Sequence, residues 1–556
     1  MADWRKGELM PQMTGGQALV ESLKREGVKT IFGLPGIQLD WAFDALHAEK
    51  ENIHVIHPRH EQATGYMADG FARTTGEIGV FFVVPGPGVL NTTAALATAY
   101  ACNSPVLCIT GQINSDLIDV GRGELHEIDD QLGMLRHVTK WNARAMTPGD
   151  VPYVVHEAFR QLRSGRPRPV EIEIPPDVLQ RVGEVRLGET LPPERSAGDP
   201  DRLEKAAALL GKAERPVILV GGGVLAAGAW EELRVLAESL EAPVIMSGHA
   251  RGAISDRHHL AQIQFALPEL LPSADVVLAV GTRMIQFANQ PIDVGLRPLI
   301  RIDADPKQIN RTVTSTIGIV GDARLALAEL ANRVTRHNRA RPSRRDELNA
   351  IKHSLNEELN AAEPQASLGR ALRESMPDDT IFVSESTQVG YWARFGLPIY
   401  EPRTYLSSGY QGTLGYGFPT ALGAQVGNPN KKVVSINGDG GFMFNVQELA
   451  TAVQHGIPTI TIVFDDGAFG NVRRIQERTF NGRTIASNLS NPSFAKLAEV
   501  FGMAGIRAEG SDGLRGALKE AMTIAGPTLI EVPVGPMPMF LQQIRDRLSQ
   551  RLMAVR

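Results

Sequence analysis

The chain has 556 residues, 43% of them hydrophobic and 21% charged, so it is too long for one hydrophobic core and should form about three domains. The formal net charge of −5 argues against a nucleic-acid partner, and no apolar run approaches the ~18 residues of a membrane-spanning helix. The amino-terminal segment lacks the apolar core of a signal peptide and the two cysteines suit a reducing compartment, so we expect a cytoplasmic protein with no membrane partner.

Helix and strand signals alternate in the first third of the chain. We predict helices at 14–27 and 61–73, and strands at 30–33, 53–57, 79–84, 106–111 and 170–174. Because parallel strands are joined by crossover helices, this alternation predicts an α/β fold with a doubly wound parallel sheet. We place this first domain at 13–180.

A polar stretch, 180–201, is predicted to link the first domain to a central α/β domain at 201–335. We expect strands of the central domain near 217–220, 243–247, 276–280 and 299–302. Gly221–Ala226 gives a nominal GxGxxA pattern after a strand, but the next strand ends without the acidic residue that dinucleotide binding requires. FAD is therefore not expected, whereas a nucleotide or CoA group stays open.

The third domain, placed at 366–535, carries acidic residues and glycines at two strand ends. Val433–Ile436 is predicted as a strand that ends on Gly438-Asp439-Gly440, and a helix is expected from Asn445 to His455. A second strand, 459–464, ends on Asp465-Asp466-Gly467. Ligands bind at this edge of parallel sheets, and two carboxylates beside glycines suit Mg²⁺ bridging a diphosphate. Each aspartate alone would equally suit an ordinary turn.

The two segments GDGGFMFNVQEL and FDDGAFGNV resemble the diphosphate-binding signature of thiamine diphosphate (ThDP) enzymes. The most similar group is the superfamily of acetolactate synthase, pyruvate oxidase and 2-oxo acid decarboxylases. The resemblance implies three doubly wound parallel-sheet domains: pyrimidine-binding, central and diphosphate-binding. It also implies Mg²⁺ held by Asp439, Asp466 and the main-chain carbonyl of Ala468, although family members commonly have two Asn at 465 and 466. The cofactor-binding residues implied here are Gly438, Asp439, Gly440, Gly441, Asp466, Ala468, Phe469 and Gly470.

A glycine-rich segment, 408–419, resembles the family segment that holds the aminopyrimidine ring. On this match the carbonyl of Gly412 accepts from the 4′-amino group, and Leu414 is the apolar wedge that bends the cofactor. Ser386, Thr387 and Gln388 match the place where the family offers main-chain donors to the diphosphate. A glycine-rich turn for helix packing is the alternative interpretation of the segment.

Glu61, in the first domain, lies in His57–Ala63, which resembles the family's Arg-His-Glu motif. The resemblance implies that Glu61 bonds to N1′ of the aminopyrimidine and so activates the cofactor from a largely apolar site. The alternative is a glutamate that favours the helix dipole. Since the family pairs the first domain of one subunit with the third domain of another, we expect a homodimer at minimum and a homotetramer.

Four further residues match family positions near the reacting carbon. Pro35 and Gln38 fall on the loop after the first strand, Gln112 follows a Thr-Gly pair, and His126 stands where acetolactate synthases have Gln. His126 could transfer a proton to or from an intermediate, or could simply be solvated. The Arg and Trp that select the second 2-oxo acid in acetolactate synthases correspond to Phe287 and Ile475, which cannot bind a carboxylate.

The predicted function is a ThDP- and Mg²⁺-dependent lyase or carboligase. It would decarboxylate a 2-oxo acid and protonate or ligate the resulting acyl-anion equivalent, within an acetolactate synthase-like framework. A benzaldehyde lyase-like enzyme and a simple 2-oxo acid decarboxylase are the alternatives. A flavin-dependent oxidase and a non-catalytic ThDP-binding paralogue fit the sequence less well.

Overall fold

The computed structural model describes residues 11–286 and 290–554, and the chain divides into two compact units. The first unit contains the described residues up to Ala72 together with Glu77–Glu194, and the second contains Arg73–Gly76 and the described residues from Arg195 onwards. The predicted fold class is confirmed, because one parallel sheet lies in the first unit and two lie in the second. In the described part of the chain, no helix has the length and apolarity needed to cross a membrane.

The first unit is built on a six-stranded parallel sheet with the order β3-β2-β4-β5-β7-β6. The strands of this sheet are β2 (Thr30–Gly33), β3 (His54–Ile56), β4 (Gly79–Val83), β5 (Val106–Gly111), β6 (Trp141–Arg144) and β7 (Val170–Ile174). Two further strands, β1 (Gln12–Thr14) and β8 (Val182–Glu184), form a separate antiparallel pair. The helices of the first unit are α1 (Gly15–Arg25), α2 (Asp40–Ala48), α3 (Glu61–Thr75), α4 (Pro87–Cys102), α5 (Gln131–Leu135), α6 (Val151–Arg163) and α7 (Pro176–Gln180). The central strands β4, β5 and β7 are buried along their whole length, as expected for strands covered on both faces.

The central sheet, in the second unit, has the order β11-β10-β9-β12-β13-β14 and is parallel throughout. Its strands are β9 (Pro216–Val220), β10 (Val244–Met246), β11 (Ala261–Ile263), β12 (Val276–Val280), β13 (Leu299–Asp303) and β14 (Ile317–Val320). The helices of this region are α8 (Pro200–Lys212), α9 (Gly222–Ala226), α10 (Trp230–Leu240), α11 (Leu267–Leu270), α12 (Ala323–Val334) and α13 (Arg345–Asn360). Aliphatic side chains from both faces of the sheet form one continuous core.

The third sheet, also parallel, has the order β16-β15-β17-β18-β20-β19 and a separate core. Its strands are β15 (Ile381–Ser384), β16 (Tyr405–Ser407), β17 (Val433–Gly438), β18 (Ile460–Asp465), β19 (Ala504–Arg507) and β20 (Thr528–Pro533). The helices are α14 (Gln365–Ser375), α15 (Gln388–Gly396), α16 (Gly417–Gly427), α17 (Asp439–Phe442), α18 (Glu448–Gln454), α19 (Gly470–Thr479), α20 (Phe494–Phe501), α21 (Gly510–Ala521) and α22 (Phe540–Ala554).

Two sequence-based expectations are wrong in detail. The helix expected from Asn445 to His455 is α18, which begins three residues later at Glu448, and the short helix α17 and a 3-10 turn at Met443–Asn445 precede it. Asn445 does not cap a helix, because its side-chain amide donates to the Gly415 carbonyl at 2.7 Å. Part of the expected linker is also a strand, since Val182–Glu184 pairs antiparallel with Gln12–Thr14.

Candidate functional site

The carboxyl ends of β17 and β18 bring the predicted metal ligands together. Asp439 is the first residue of α17 and is 2% exposed, and its Oδ2 accepts the Ala468 N–H at 3.2 Å. The same oxygen accepts the Asn491 side-chain amide at 2.7 Å, and this amide also donates to Asp465 at 2.9 Å. The parallel pairing of the two strands therefore produces the acidic edge that the sequence predicts.

The electrostatics of this edge favour a cation. Burial, with the neighbouring charges of Asp466 and Asp465, raises the pKa of Asp439 to about 6. Burial also raises the pKa of Asp466, while its ion pair with Arg474, at 2.9 Å, opposes that rise. Since carboxylate oxygens are the ligands that Mg²⁺ prefers, Asp439 and Asp466 fit the predicted metal. Among residues 11–286 and 290–554, no three His, Cys, Asp or Glu side chains form a ready metal cluster. A site here would therefore need main-chain oxygen such as that of Ala468.

The glycines beside the two aspartates allow close packing. A methyl group at Gly440 would lie 2.6 Å from the Phe469 ring, and one at Gly470 would lie 2.1 Å from Asp466 Oδ2. Gly441 is equally confined, by Glu385, whereas Gly438 is half-buried and has only an ordinary contact with Thr387. The backbone at Gly438 thus has room for a ligand, and the other glycines hold the turn in shape.

The turn after β15 carries the predicted diphosphate donors. Thr387 caps α15, because its hydroxyl accepts the Gly390 N–H at 2.8 Å, and its own N–H donates to the Glu385 carbonyl at 2.9 Å. The Gln388 side chain accepts the Phe540 N–H at 2.8 Å, and Ser386 is exposed. Since the Thr387 N–H is already bonded, the predicted donor role rests with Ser386 and Gln388.

The glycine-rich segment is accessible at Gly412 and Leu414 and closely packed at Gly415. Gly412 has a φ of +58° with open space around it, and Leu414 is 39% exposed. Gly415, with a φ of +80°, is packed so closely that a methyl group there would lie 2.6 Å from the Asn445 amide. The residues expected to meet the cofactor ring are thus the accessible ones.

Glu61 lies at the start of α3 in the first unit and is half-buried. Its Oε2 accepts the side-chain amide of Asn91, on α4, at 3.0 Å. The sequence predicted a largely apolar surrounding for Glu61. In this chain Glu61 is only half-buried, and its carboxyl accepts a hydrogen bond from a polar side chain.

Gln38 and His126, both predicted near the reacting carbon, are in contact within the first unit. Gln38 is 6% exposed, and its Oε1 lies 3.1 Å from His126 Nδ1. Its amide nitrogen donates to the Leu125 carbonyl at 3.0 Å. Pro35, on the same loop as Gln38, is exposed. His126 has a φ of +71°, a conformation that a non-glycine residue rarely adopts.

Gln112 is 2% exposed, and both the nitrogen and the oxygen of its side-chain amide have partners in the interior. Its nitrogen lies 3.4 Å from Glu173, and its oxygen accepts the Ile113 N–H at 2.8 Å. A direct role of Gln112 in catalysis stays a prediction. Of the two residues at acceptor-selecting positions, Ile475 lies on α19 and is 40% exposed, and Phe287 lies outside the described residues.

The glycine pattern of the central domain has a packing explanation. A methyl group at Gly221 would lie 2.2 Å from the Gly281 carbonyl oxygen, and the Gly223 N–H donates to that carbonyl at 3.1 Å. The turns after β9 and β12 therefore pack on each other at the point where the strand order reverses, which is where a dinucleotide would bind in such a sheet.

Three polar residues at the third sheet's edge were missed by the sequence interpretation: Glu385, Arg474 and Asn491. Glu385 directly follows a buried strand, and this position was the available signal. Asn491 and Arg474 had no local signal, because only the fold brings them to the aspartates.

The chain is similar to three protein-family models and to several known proteins. The model "Thiamine pyrophosphate enzyme, N-terminal TPP binding domain" matches residues 13–134, the central-domain model of the same enzymes matches 203–330, and the "C-terminal TPP binding domain" model matches 385–532. A probable acetolactate synthase large subunit from Methanocaldococcus jannaschii is 35% identical, over 94% of this chain and 92% of the relative. A probable 2-ketoarginine decarboxylase from Pseudomonas aeruginosa is also 35% identical, over 94% and 95%. The acetolactate synthase isozyme 3 large subunit of Escherichia coli is 32% identical, over 92% and 93%.

Proposed function

Because this chain belongs to the family of thiamine pyrophosphate (thiamine diphosphate) enzymes, we propose that it is a ThDP- and Mg²⁺-dependent lyase or carboligase that decarboxylates a 2-oxo acid. The observation that carries this proposal is the juxtaposition of Asp439 and Asp466 beside a glycine turn at the ends of β17 and β18. Bound ThDP supplies an electron sink for the negative charge left when CO₂ departs.

Asp439, Asp466 and the carbonyl of Ala468 hold the metal in this proposal. Burial makes the ionisation of both aspartates costly, and the charge of Asp466 adds to the cost for Asp439; a bound divalent cation would offset this cost. The carbonyl of Gly412 and the side chain of Leu414 meet the cofactor ring. Main-chain N–H groups of Ser386 and Gln388 meet the diphosphate.

Glu61 provides the acid for the ring nitrogen, and Asn91 orients it through the 3.0 Å hydrogen bond. A carboxyl group that shares a proton with the ring favours the tautomer that acts as internal base. Glu61 belongs to the first unit and Asp439 to the second. Since the family pairs the first domain of one subunit with the third domain of another, we propose a homodimer at minimum and a homotetramer, in the cytoplasm. Light scattering would test the assembly, and a monomer with full activity would contradict it.

His126 is the proton carrier that we propose for the product-forming step. The Leu125 carbonyl can only accept, so the amide nitrogen of Gln38 must face it and the amide oxygen must face His126. In the neutral imidazole the proton is then on Nδ1, and Nε2 is the nitrogen that takes up or releases a proton. Gln38 thus sets the tautomer of His126.

Protonation, or addition to an aldehyde, is the fate we propose for the acyl unit in preference to addition to a second 2-oxo acid. Phe287 and Ile475 offer no donor to a carboxylate. The loss of the charge-assisted contact of the family Arg, to which Phe287 corresponds, amounts to roughly 10- to 150-fold in selectivity. The family likeness to a decarboxylase as well as to acetolactate synthases supports this alternative.

The test is CO₂ release from a panel of 2-oxo acids with and without ThDP, Mg²⁺ and an aldehyde acceptor. We expect CO₂ release that requires both ThDP and Mg²⁺, with aldehyde or hydroxyketone as product. Acetolactate as the dominant product from pyruvate plus aldehyde would contradict the proposed acceptor preference. No CO₂ from any 2-oxo acid would contradict the proposed reaction.

A further inference from the structure

Glu385 is a buried acid at the end of β15 that has no role in the function proposed above. It is 3% exposed, and its N–H donates to the Ile436 carbonyl at 3.0 Å, which fixes its backbone against β17. Its side chain therefore starts from a rigid position at the same sheet edge as Asp439. Acidic side chains are rarely buried to this extent unless their oxygens have partners.

The partners of the Glu385 carboxyl come from two different segments. Its Oε1 accepts the Gly415 N–H at 2.8 Å, within the glycine-rich segment. The N–H groups of Tyr416 and Gly417, from the same segment, and of Gly438, from the turn after β17, also favour its ionised form. One side chain thus lies between the segment expected to hold the ring and the turn expected to hold the diphosphate.

Both segments have glycines where they pack around Glu385. A methyl group at Gly441 would lie 2.4 Å from Oε2, and one at Gly417 would lie 3.2 Å from the Glu385 Cβ. Burial raises the pKa of Glu385 to about 7, against the opposing effect of the main-chain N–H groups. Within the described residues, Oε2 has no hydrogen-bond partner, so the carboxyl is not fully satisfied by the protein around it.

We propose that Glu385 is a positioning residue that ties the glycine-rich segment 412–417 to the turn Gly438–Gly441, so that both halves of the cofactor meet a preformed site. The inference rests on the proposed function only for the identity of the cofactor. Ordering a loop costs conformational entropy. If the loop is already ordered before the ligand binds, this cost does not weaken binding.

The decisive variant is Glu385→Asp, which keeps the charge but withdraws the carboxyl from Gly415. The readouts are the dissociation constants of ThDP and of inorganic diphosphate at saturating Mg²⁺. Diphosphate needs only the turn, and the pairing of Gly438 with Phe464 holds the start of that turn independently of Glu385. We expect ThDP binding to weaken at least about tenfold, or 1.4 kcal/mol, and diphosphate binding by less than about threefold. Equal losses for both ligands, or no loss for either, would overturn the proposal.

Glu531→Gln is the matched control. Glu531 is another buried acid of the same sheet, 2% exposed, and it accepts the Ala495 N–H at 2.9 Å away from the two cofactor segments. This variant should lower the melting temperature while leaving the ratio of the two dissociation constants unchanged. A changed ratio in Glu531→Gln would show that any buried acid of the sheet has this effect, which would contradict a specific role for Glu385.

Hydrogen exchange of the cofactor-free wild-type protein is a test that needs no variant. We expect the Gly415 amide to be protected to a degree comparable with the amides of β17. Rapid exchange at Gly415 in the wild type would overturn the preformed site even if Glu385→Asp failed to fold. A wild type that binds ThDP but releases no CO₂ would contradict the proposed reaction and leave the role of Glu385 intact.

Discussion

The first and third sheets are the same scaffold with different chemistry at one edge. When the strands of each six-stranded sheet are numbered along the chain, both have the order 2-1-3-4-6-5, whereas the central sheet has the order 3-2-1-4-5-6. Even an ion pair recurs: Arg144 of β6 pairs with Glu173 of β7, and Arg507 of β19 pairs with Glu531 of β20. These partners also occupy the same register in their sheets.

The two sheets differ at the carboxyl ends of equivalent strands. Where the third strand of each sheet ends, the first unit has Pro85-Gly86 and the second has Gly438-Asp439. Where the fourth strand ends, the first unit has Gln112 and the second has Asp465-Asp466. The edge of the first sheet therefore carries side-chain amides, the His126 imidazole and the Glu61 carboxyl. The same edge of the third sheet carries the carboxylates of Asp439 and Asp466 and accessible main-chain groups. The scaffold sets where a site forms, and the strand-end residues set its chemistry.

The largest expected effect comes from Glu61, at the edge of the first sheet. Glu61→Gln should lower the rate of CO₂ release by about 10²- to 10⁴-fold, because an amide cannot share a proton with the ring nitrogen. The fold should be kept, since the glutamine oxygen can still accept the Asn91 amide. Exchange of the cofactor C2 proton, followed by NMR, reports the step directly. A near-wild-type exchange rate in the variant would remove Glu61 from this role.

The next largest effect is expected at the acidic edge. Asp439→Asn should weaken Mg²⁺-dependent ThDP binding by about 10- to 100-fold, because a neutral amide is a poor ligand for the cation. Its oxygen can still accept the Ala468 N–H, so the melting temperature should change little. Asp465→Asn is the control, since Asp465 bonds to Asn491 and Gly467 and is not in the proposed ligand set. Equal losses in both variants would point to overall charge instead of ligation.

Most strands and the acidic edge could be predicted from the sequence, because buried strands and the turns that follow them have local sequence patterns. Strands such as Val106–Gly111 and Val170–Ile174 are short buried runs, and the structure has them with the predicted bounds. Trp141–Arg144 was missed because it is a half-buried edge strand without an apolar run. Asn445 was misinterpreted because a good helix cap is also a good donor to a distant carbonyl. Interactions between distant segments, such as Glu385 with Gly415, have no local pattern.

The pairing of Asp466 with Arg474 distinguishes the acidic edge further. Because Arg474 donates to Asp466 at 2.9 Å, it competes with a cation for that carboxylate. Arg474→Gln should therefore tighten the apparent Mg²⁺ affinity at fixed ThDP by about threefold to tenfold, less at high salt. The double variant Asp466→Asn with Arg474→Gln should bind less tightly than Arg474→Gln alone. Weaker Mg²⁺ binding in Arg474→Gln would show instead that Arg474 holds Asp466 in place for the metal.

The last expected effect concerns stability and comes from a position where the interiors of the first and third sheets differ. Glu171 of β7 is fully buried where β20 has Leu529, and its Oε2 has no partner within the described residues. Burial and the neighbouring Glu173 raise the pKa of Glu171 well above its usual range, with Thr110 and Arg144 opposing the rise. Between the unfolded and folded pKa values the native state binds more protons, so the unfolding free energy falls as pH rises through that window.

Glu171→Leu should remove this pH-dependent loss. We expect the variant to gain about 1–2 kcal/mol at pH 8 and less at pH 4, because replacing a buried acid by an apolar side chain of similar size is often neutral or stabilising. Hydrogen exchange of the β7 amides measures the local effect in a chain with several domains. Glu173→Leu is the contrasting variant, since it leaves Arg144 without its buried partner and should cost about 3 kcal/mol. If Glu171→Leu instead destabilised β7 equally at both pH values, the hydrogen bond from Thr110 to Glu171, at 2.8 Å, would outweigh the burial of the acid.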